Sequence, residues 1–431
     1  MNLKSTDGRK YDVVIFGATA FTGQYVVREM LFNSKYKSWV KWAIAGRNVN
    51  KLTCVLEEQK KFLEESRLVP IPNSFFVRLH QWYFVDEIRP ISTKYSEGTS
   101  FSTVEVGLIT ANVDDYQSLL EMARCTKMLI NMVGPYKIYG RDVVKSCVEN
   151  GTHHLDISGE PSFLEEIQLK YNDMAHANNC YVVGSLGFGS VIADLGLAYC
   201  KLNFHGKLLA AESYAYMAGN EQSKRPYLNT GTWYSFINSI KSEKQTEFQD
   251  NRHKLHLGRP KLKGETILLK KKNIHKSIRN RYAVPFIGSD KTVVEQTIFY
   301  NHKQTGEDII QYMPYIEYSH LIVYPRFFSI GVFSEKGPSE KSIANTYAKM
   351  HFKLYGSSDG SNNVDTIKHA VISGPNVYTG TARLIVAAVF TILEENVKDI
   401  KGGVLTPAVA LSNSSYIDRV EKRGFTFSLV E

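Results

Sequence analysis

Tyr11-Asp-Val-Val-Ile-Phe-Gly17-Ala18-Thr19-Ala20-Phe21-Thr22-Gly23 and, further on, Trp42-Ala-Ile-Ala-Gly46-Arg47 set the architecture of this chain. Residues 13–16 are apolar and largely β-branched, the pattern of a buried parallel strand. A tight turn of small residues follows, and a helix is expected to open near Thr22. In that strand, turn and helix order, a dinucleotide pyrophosphate rests on helix N–H groups and the positive end of the helix dipole. Gly17 makes the turn without steric cost, and Gly23 lets helix and strand pack closely. An acid after the second strand would accept the ribose hydroxyls of NAD. Arg47 instead suits the 2′-phosphate of NADP, and Lys51, one helical turn on, adds a second positive charge. The expected cofactor residues here are therefore Gly17, Ala18, Thr19, Ala20, Phe21, Thr22, Gly23, Arg47 and Lys51. The spacing is G-x-x-A-x-x-G, with Ala20 where a middle glycine often stands. The turn taken alone therefore also fits a sheet of this kind that binds nothing.

At 431 residues the chain has room for two or three domains and a large core. Hydrophobic content of 43% and charged content of 22% are those of a globular protein. Cys54, Cys125, Cys147, Cys180 and Cys200 are odd in number and contain no C-x-x-C pair. Neither a disulfide framework nor a zinc site is indicated, and the expected setting is reducing and intracellular. Residues 1–10 lack the apolar core of a signal peptide. The longest apolar run, 384–393, is short of the ~20 residues that span a bilayer and reads as a buried helix.

The net charge of +9 is concentrated. Between Lys241 and Arg281 lie 13 Lys or Arg and four acids, with Lys270-Lys271-Lys272 directly after Ile267-Leu268-Leu269. Such a segment could meet anionic lipid head groups or a phosphorylated carrier, or it could be a solvated loop. No nucleic-acid motif accompanies the charge, so nucleic acid is not an expected partner.

The first 200 residues alternate in period. Strands are expected at 106–110, 128–132, 153–156 and 181–184, with helices at 48–67, 114–123, 141–149 and 163–177. Such repetition predicts an α/β domain on a parallel sheet wound right-handed. Residues 69–104 break the rhythm with Pro70, Pro72, Pro90 and several aromatics. They are expected to be a surface insert, or else a flaw in the sequence itself. After about Leu202 the segments 207–217, 293–300 and 309–318 read as strands, and 230–240 and 339–354 as helices. This predicts a second, α+β domain on an antiparallel sheet. The expected division is 1–202, 203–380 and a C-terminal segment, 381–431, that returns to the first domain.

Several motifs then occur in order: Gly17-Ala-Thr-Ala-Phe-Thr-Gly23, Ala45-Gly46-Arg47, Asn131-Met-Val-Gly134-Pro135-Tyr136, Asp156-Ile-Ser158-Gly159-Glu160-Pro161, Ala193-Asp194-Leu195-Gly196 and Gly402-Gly-Val-Leu-Thr-Pro407. Together they make the chain resemble the saccharopine dehydrogenase-like oxidoreductases, animal relatives of saccharopine reductases. The resemblance implies an NAD(P)-binding Rossmann domain, a smaller substrate and dimerisation domain, and hence a homodimer. It also implies similarity to bacterial trans-acting enoyl reductases of glycolipid synthesis, and association with lipid droplets, mitochondria or other membrane surfaces. This chain departs from the family at Gly187-Phe188-Gly189-Ser190-Val191-Ile192, where Gly-Phe-Asp-Ser-x-Pro is usual, and at Ala20. The apolar hairpin of membrane-associated relatives is shortened here to 321–333.

Ligands of such sheets bind beyond the carboxyl ends of the strands. Asn131, Gly134 and Pro135 follow the fourth strand, where they line either a cofactor or an ordinary turn; the resemblance favours the cofactor. Tyr136 could offer a phenol to a substrate carbonyl or simply pack. Asp156 and Glu160 could bind an amine or shuttle a proton, whereas Asp156 and Ser158 could only cap the helix beginning near Pro161. Two functions follow. One is an NADP-dependent reductase acting on a lipid-linked or amino-acid-like substrate. The other is a catalytically silent scaffold at a lipid surface. No metal is called for, since a nicotinamide carries the hydride step itself.

Overall fold

The computed structural model describes residues 8–68, 100–220, 222–243, 245–257, 269–318, 331–395 and 402–430. Its first sheet has seven parallel strands: β1 (Tyr11–Phe16), β2 (Trp42–Gly46), β3 (Gly107–Thr110), β4 (Thr126–Asn131), β5 (His153–Asp156), β6 (Tyr181–Val183) and β15 (Gly403–Leu405). Their order is β15-β6-β5-β4-β1-β2-β3, so the chain reverses its direction of winding between β1 and β4. Val13, Val14, Ile15 and Phe16 are buried on both faces of the sheet, which is why the run carries no alternation. The carboxyl ends of β1 and β4 thus mark the topological switch point, where such sheets take ligands.

The second sheet has the order β16-β14-β13-β7-β11-β10-β9. Its strands are β7 (Lys207–Gly219), β9 (His275–Lys276), β10 (Tyr282–Pro285), β11 (Gln311–Tyr318), β13 (Thr346–Ser357), β14 (Thr366–Pro375) and β16 (Thr426–Val430). The sheet is mixed and not wholly antiparallel, because β11 runs parallel to β7. Two short strands, β8 (Leu228–Asn229) and β12 (Phe333–Ser334), pair separately. One face of the large sheet packs on the helix Phe188–Asn203 and on the apolar helix Val377–Glu394. The latter is long and apolar enough to cross a bilayer by length and composition. Here it is buried against the helix Phe21–Tyr36 of the first domain.

Two expected elements change type. Residues 293–300 lie in the helix Asp290–Thr305, not in a strand. Val293 and Thr297, like Val294 and Ile298, stack one turn apart on its buried side, so packing outweighs the strand preference of β-branched residues. Residues 339–354 form a short helix, Glu340–Ala344, and then β13. In β13, Ala348, Met350, Phe352 and Leu354 face the core while Tyr347, Lys349, His351 and Lys353 alternate with them.

The C-terminal segment divides. Strand β15 completes the first sheet beside β6, whereas β16 adds to the second sheet beside β14. Expectations for residues 69–99 and for 321–330 lie outside the described residues. Of the expected insert, Phe101–Thr103 forms a single 3-10 turn with Phe101 buried.

Candidate functional site

Between β1 and the helix Phe21–Tyr36, the chain makes the turn expected of a phosphate cradle. Gly17 has φ +83°, and a Cβ there would lie 2.7 Å from Val133 Cγ2 and 3.0 Å from the Met132 carbonyl carbon. Both the backbone angle and the closeness of the β4 loop therefore require glycine. A Cβ on Gly23 would stand 2.4 Å from the Gly17 oxygen, so this glycine sets how near helix and turn can come. The helix start at Ala20 has no side-chain cap, and its first turn contains no acid. Its first N–H groups, on Phe21, Thr22 and Gly23, have no hydrogen-bond partner among the described residues. The Phe21 ring is occupied elsewhere, edge-on to Tyr378 at 4.7 Å, leaving its main chain as the part available to a ligand. Ala18 is buried beneath the turn and Thr19 is exposed above it.

Arg47 and Lys51 are exposed, and neither side chain has an ion-pair partner among the described residues. The Lys51 N–H donates to Asn48 Oδ1, which caps the helix Val49–Leu68. At the end of β4, Asn131 is fully buried. Its Oδ1 accepts from the Val133 N–H at 3.0 Å, while its Nδ2 is buried without a hydrogen-bond partner. An unpaired buried donor of this kind costs free energy, about 1–3 kcal/mol, until something accepts from it. Gly134 is exposed and Pro135 half-buried beside it, joined by a cis peptide.

The cleft candidates are each engaged within the fold. The Tyr136 hydroxyl donates to the Asn131 carbonyl at 3.0 Å and its ring packs on Phe163, the packed alternative of the two readings. Glu160 accepts from the Tyr136 N–H at 2.9 Å, the Lys137 N–H at 3.0 Å and the Ser235 hydroxyl at 3.2 Å. It thus caps the helix Tyr136–Glu149 from another part of the chain. Burial pushes its pKa up, against the lowering pull of those donors. Asp156 Oδ1 accepts from the N–H groups of Ser158 and Ser185, tying the loops after β5 and β6 together. Burial raises its carboxyl to about 7. Neither Asp156 nor Ser158 caps the helix Pro161–Ala177, whose N-cap, Glu160, makes no side-chain cap bond to it.

A further carboxylate stands nearby that sequence reasoning passed over. Asp290, at the start of its helix, is buried, with Oδ1 accepting from the Ser190 hydroxyl at 2.9 Å. A Cβ on Gly189 would lie 3.2 Å from that same oxygen. The acid absent from position 189 is thus met by one arriving from the second domain, and burial holds it near 7.

The basic segment also differs from expectation. Lys272 Nζ lies 2.8 Å from Glu212 Oε1, and Glu212 Oε2 accepts from the Tyr214 and Tyr355 hydroxyls. Arg279 pairs with Glu317 at 3.1 Å. The described part of the segment is therefore strapped across the open face of the second sheet, and Lys272 is not freely solvated. Lys270 and Lys271 remain exposed.

A switch point with an uncapped helix start, followed by unpaired cations after β2, is the architecture of the dinucleotide-binding sheets. Residues 80–183 match the family described as the saccharopine dehydrogenase NADP binding domain, which assigns an NADP-type nucleotide to this sheet. A human saccharopine dehydrogenase-like oxidoreductase is 31% identical over 464 residues, covering 99% of this chain and 99% of the relative. A lipid droplet localized protein of Caenorhabditis elegans is likewise 31% identical, covering 97% of this chain and 98% of its own. The apo saccharopine dehydrogenase (L-Glu forming) of Saccharomyces cerevisiae shares the fold, with a TM-score of 0.54 at 10% identity over 98% of this chain and 100% of that one. The chain belongs to the saccharopine dehydrogenase-like oxidoreductase family.

Proposed function

We propose that this chain is an NADP-dependent reductase whose substrate is lipid-linked. The observation that carries the cofactor half is the uncapped start of the helix Phe21–Tyr36, with Arg47 and Lys51 standing unpaired after β2. In this reading Gly17 to Gly23 hold the pyrophosphate, Arg47 and Lys51 the 2′-phosphate, and Asn131, Gly134 and Pro135 the nicotinamide half. The orphaned Asn131 Nδ2 gains an acceptor when the cleft fills. Bound NADPH supplies the hydride; the protein's part is to position it and exclude water. Glu160 and Asp156 fix the loops that form the floor, and Tyr136 locks the Asn131 main chain.

The lipid half is supported by the worm relative's name and by two exposed apolar side chains on the helices that follow β4 and β8. The helix Thr230–Glu243 leans over the β5 exit through Ser235 to Glu160 and presents Tyr234 outward. Ile138, one residue past the capped turn, is exposed as well.

Fluorescence titration at fixed salt tests the cofactor assignment. NADPH should bind about 10- to 100-fold more tightly than NADH, the equivalent of a charge-assisted pair worth ~1.5–3 kcal/mol. Arg47→Asp should reverse the order. Equal affinities in the parent protein would overturn the assignment. A second reading, a silent scaffold at a lipid droplet or membrane surface, is favoured by one observation. Tyr136, Asp156 and Glu160 are all engaged in holding the main chain or a neighbouring helix in place. NADPH binding without oxidation of the cofactor across a panel of acyl and carbonyl substrates would support it.

A further inference from the structure

The outer face of the second sheet, away from the switch point of the first, carries a cleft of about 180 Å³ between the ends of β7, β10 and β11. Tyr216, Arg279, Arg281 and Glu317 are among its lining residues. Its volume is below the roughly 300–1,000 Å³ of a site for a drug-sized ligand, so a whole nucleotide does not fit.

The charges around it do not balance. Arg279 is fixed twice, by its pair with Glu317 and by lying 3.8 Å over the Tyr216 ring. Arg281 is exposed and has no ion-pair partner among the described residues. Lys349, beside the lining residues and not one of them, stands directly across from Tyr216 in the β7–β13 register on the same face; its Nζ lies 5.4 Å over the Tyr347 ring and has no ion-pair partner among the described residues. His351 shares that face, with Nε2 3.3 Å from the Tyr216 hydroxyl. Glu317 is the acid lining the cleft; Arg279 answers its Oε2, while its Oε1 is buried without a hydrogen-bond partner. Burial and the neighbouring Arg279 hold the Lys349 ammonium below its ordinary range. Burial, then Arg279, Lys349 and His369, hold His351 near 4. Two cations thus sit close to a third with no opposing charge.

We propose that this cleft binds a phosphate monoester, with Arg281 as its direct ligand, Arg279 as a fixed second charge and Lys349 as a third cation that reaches in from the neighbouring strand. A dianion matches the two unpaired cations, and a planar guanidinium forks onto two phosphate oxygens. The phosphate can come from a lipid head group or from a soluble metabolite.

The test uses the full chain with two probes, glycerol 3-phosphate in solution and phosphatidic acid at 20% in phosphatidylcholine vesicles. NMR of the His351 ring and calorimetry report binding of the first, and vesicle flotation the second. Binding of either should be weakened at least about tenfold by Arg281→Ala and by Lys349→Met. Bound anion should also raise the His351 pKa from near 4. Binding of both probes marks the phosphate alone as sufficient, and binding only of the vesicles marks a lipid source. Thermal melts of each variant confirm that it is folded, and a Lys353→Met control on the same strand should leave binding unchanged. Absence of binding to both probes overturns the proposal, as does binding that neither substitution weakens. A change of oligomeric state in the variants without phosphate binding would make the cleft an interface between copies, and would overturn it too.

Discussion

Removing the Glu160 carboxylate should destabilise the fold more than it changes any chemistry. Glu160→Ala takes away the acceptor of two main-chain N–H groups, on Tyr136 and Lys137, and of the Ser235 hydroxyl. The Tyr136 N–H is buried in that bond, while the Lys137 N–H is partly exposed and can recruit water. Leaving one buried donor unpaired costs ~1–3 kcal/mol, and losing a carboxylate from a helix start adds ~0.3–1 kcal/mol. The expected loss is therefore about 3 kcal/mol for Glu160→Ala. Glu160→Gln keeps one acceptor oxygen but turns an NH2 toward the other N–H, so about half that loss is expected. Urea unfolding followed by circular dichroism measures both, with the midpoint falling at constant slope. A Glu160→Ala protein within ~0.5 kcal/mol of the parent would refute the capping role. An unchanged midpoint combined with lost turnover in Glu160→Gln would return Glu160 to proton transfer.

Two more tests concern charge. Lys272→Glu places a like charge against buried Glu212 and should lower stability sharply, whereas Lys270→Glu with Lys271→Glu should leave the unfolding midpoint within ~0.5 kcal/mol. Flotation with anionic vesicles should therefore use the double variant; a Lys272→Glu protein as stable as the parent would contradict the strap. Asp290 has a folded pKa raised to about 7 by burial, so the folded state holds its proton more tightly than the unfolded chain does. Its contribution is fully present below the unfolded value near 4 and is lost as pH rises through about 7. Asp290→Asn, which keeps the acceptor for Ser190, should flatten the fall in stability between about pH 4.5 and pH 7, and identical slopes in both proteins would exclude this origin.

The first sheet was legible because its central strands, such as β1 and β2, are buried on both faces and its turns carry glycines that the backbone requires, as at Gly17. The second sheet was less so. Strand β13 reads Tyr-Ala-Lys-Met-His-Phe-Lys-Leu over 347–354, an alternation of period two hidden by residues that also favour helices. The helix Asp290–Thr305 failed the opposite way, its Val293 and Val294 suggesting a strand until the partners one turn on are counted. At the candidate site, spacing placed Arg47, Asn131 and Gly134 at the ends of strands, since local order decides that. Spacing could not reveal that Glu160 would serve a helix beginning at residue 136, or that Asp290 would arrive opposite Gly189. Both are contacts across long stretches of chain, and no local period encodes them.

Strand β15 has a bearing on how the protein is made. Until Gly403–Leu405 arrives, β6 is an open edge of a flat, apolar sheet, and such an edge pairs readily with any other strand. About 220 residues separate β6 from its partner, roughly 10–40 s of ribosomal synthesis at ordinary speeds. During that interval the nucleotide-binding half exists with an unsealed border. Chains released early, or cut ahead of residue 403, would expose that border for good, and the cell's chaperones would meet this protein most often there.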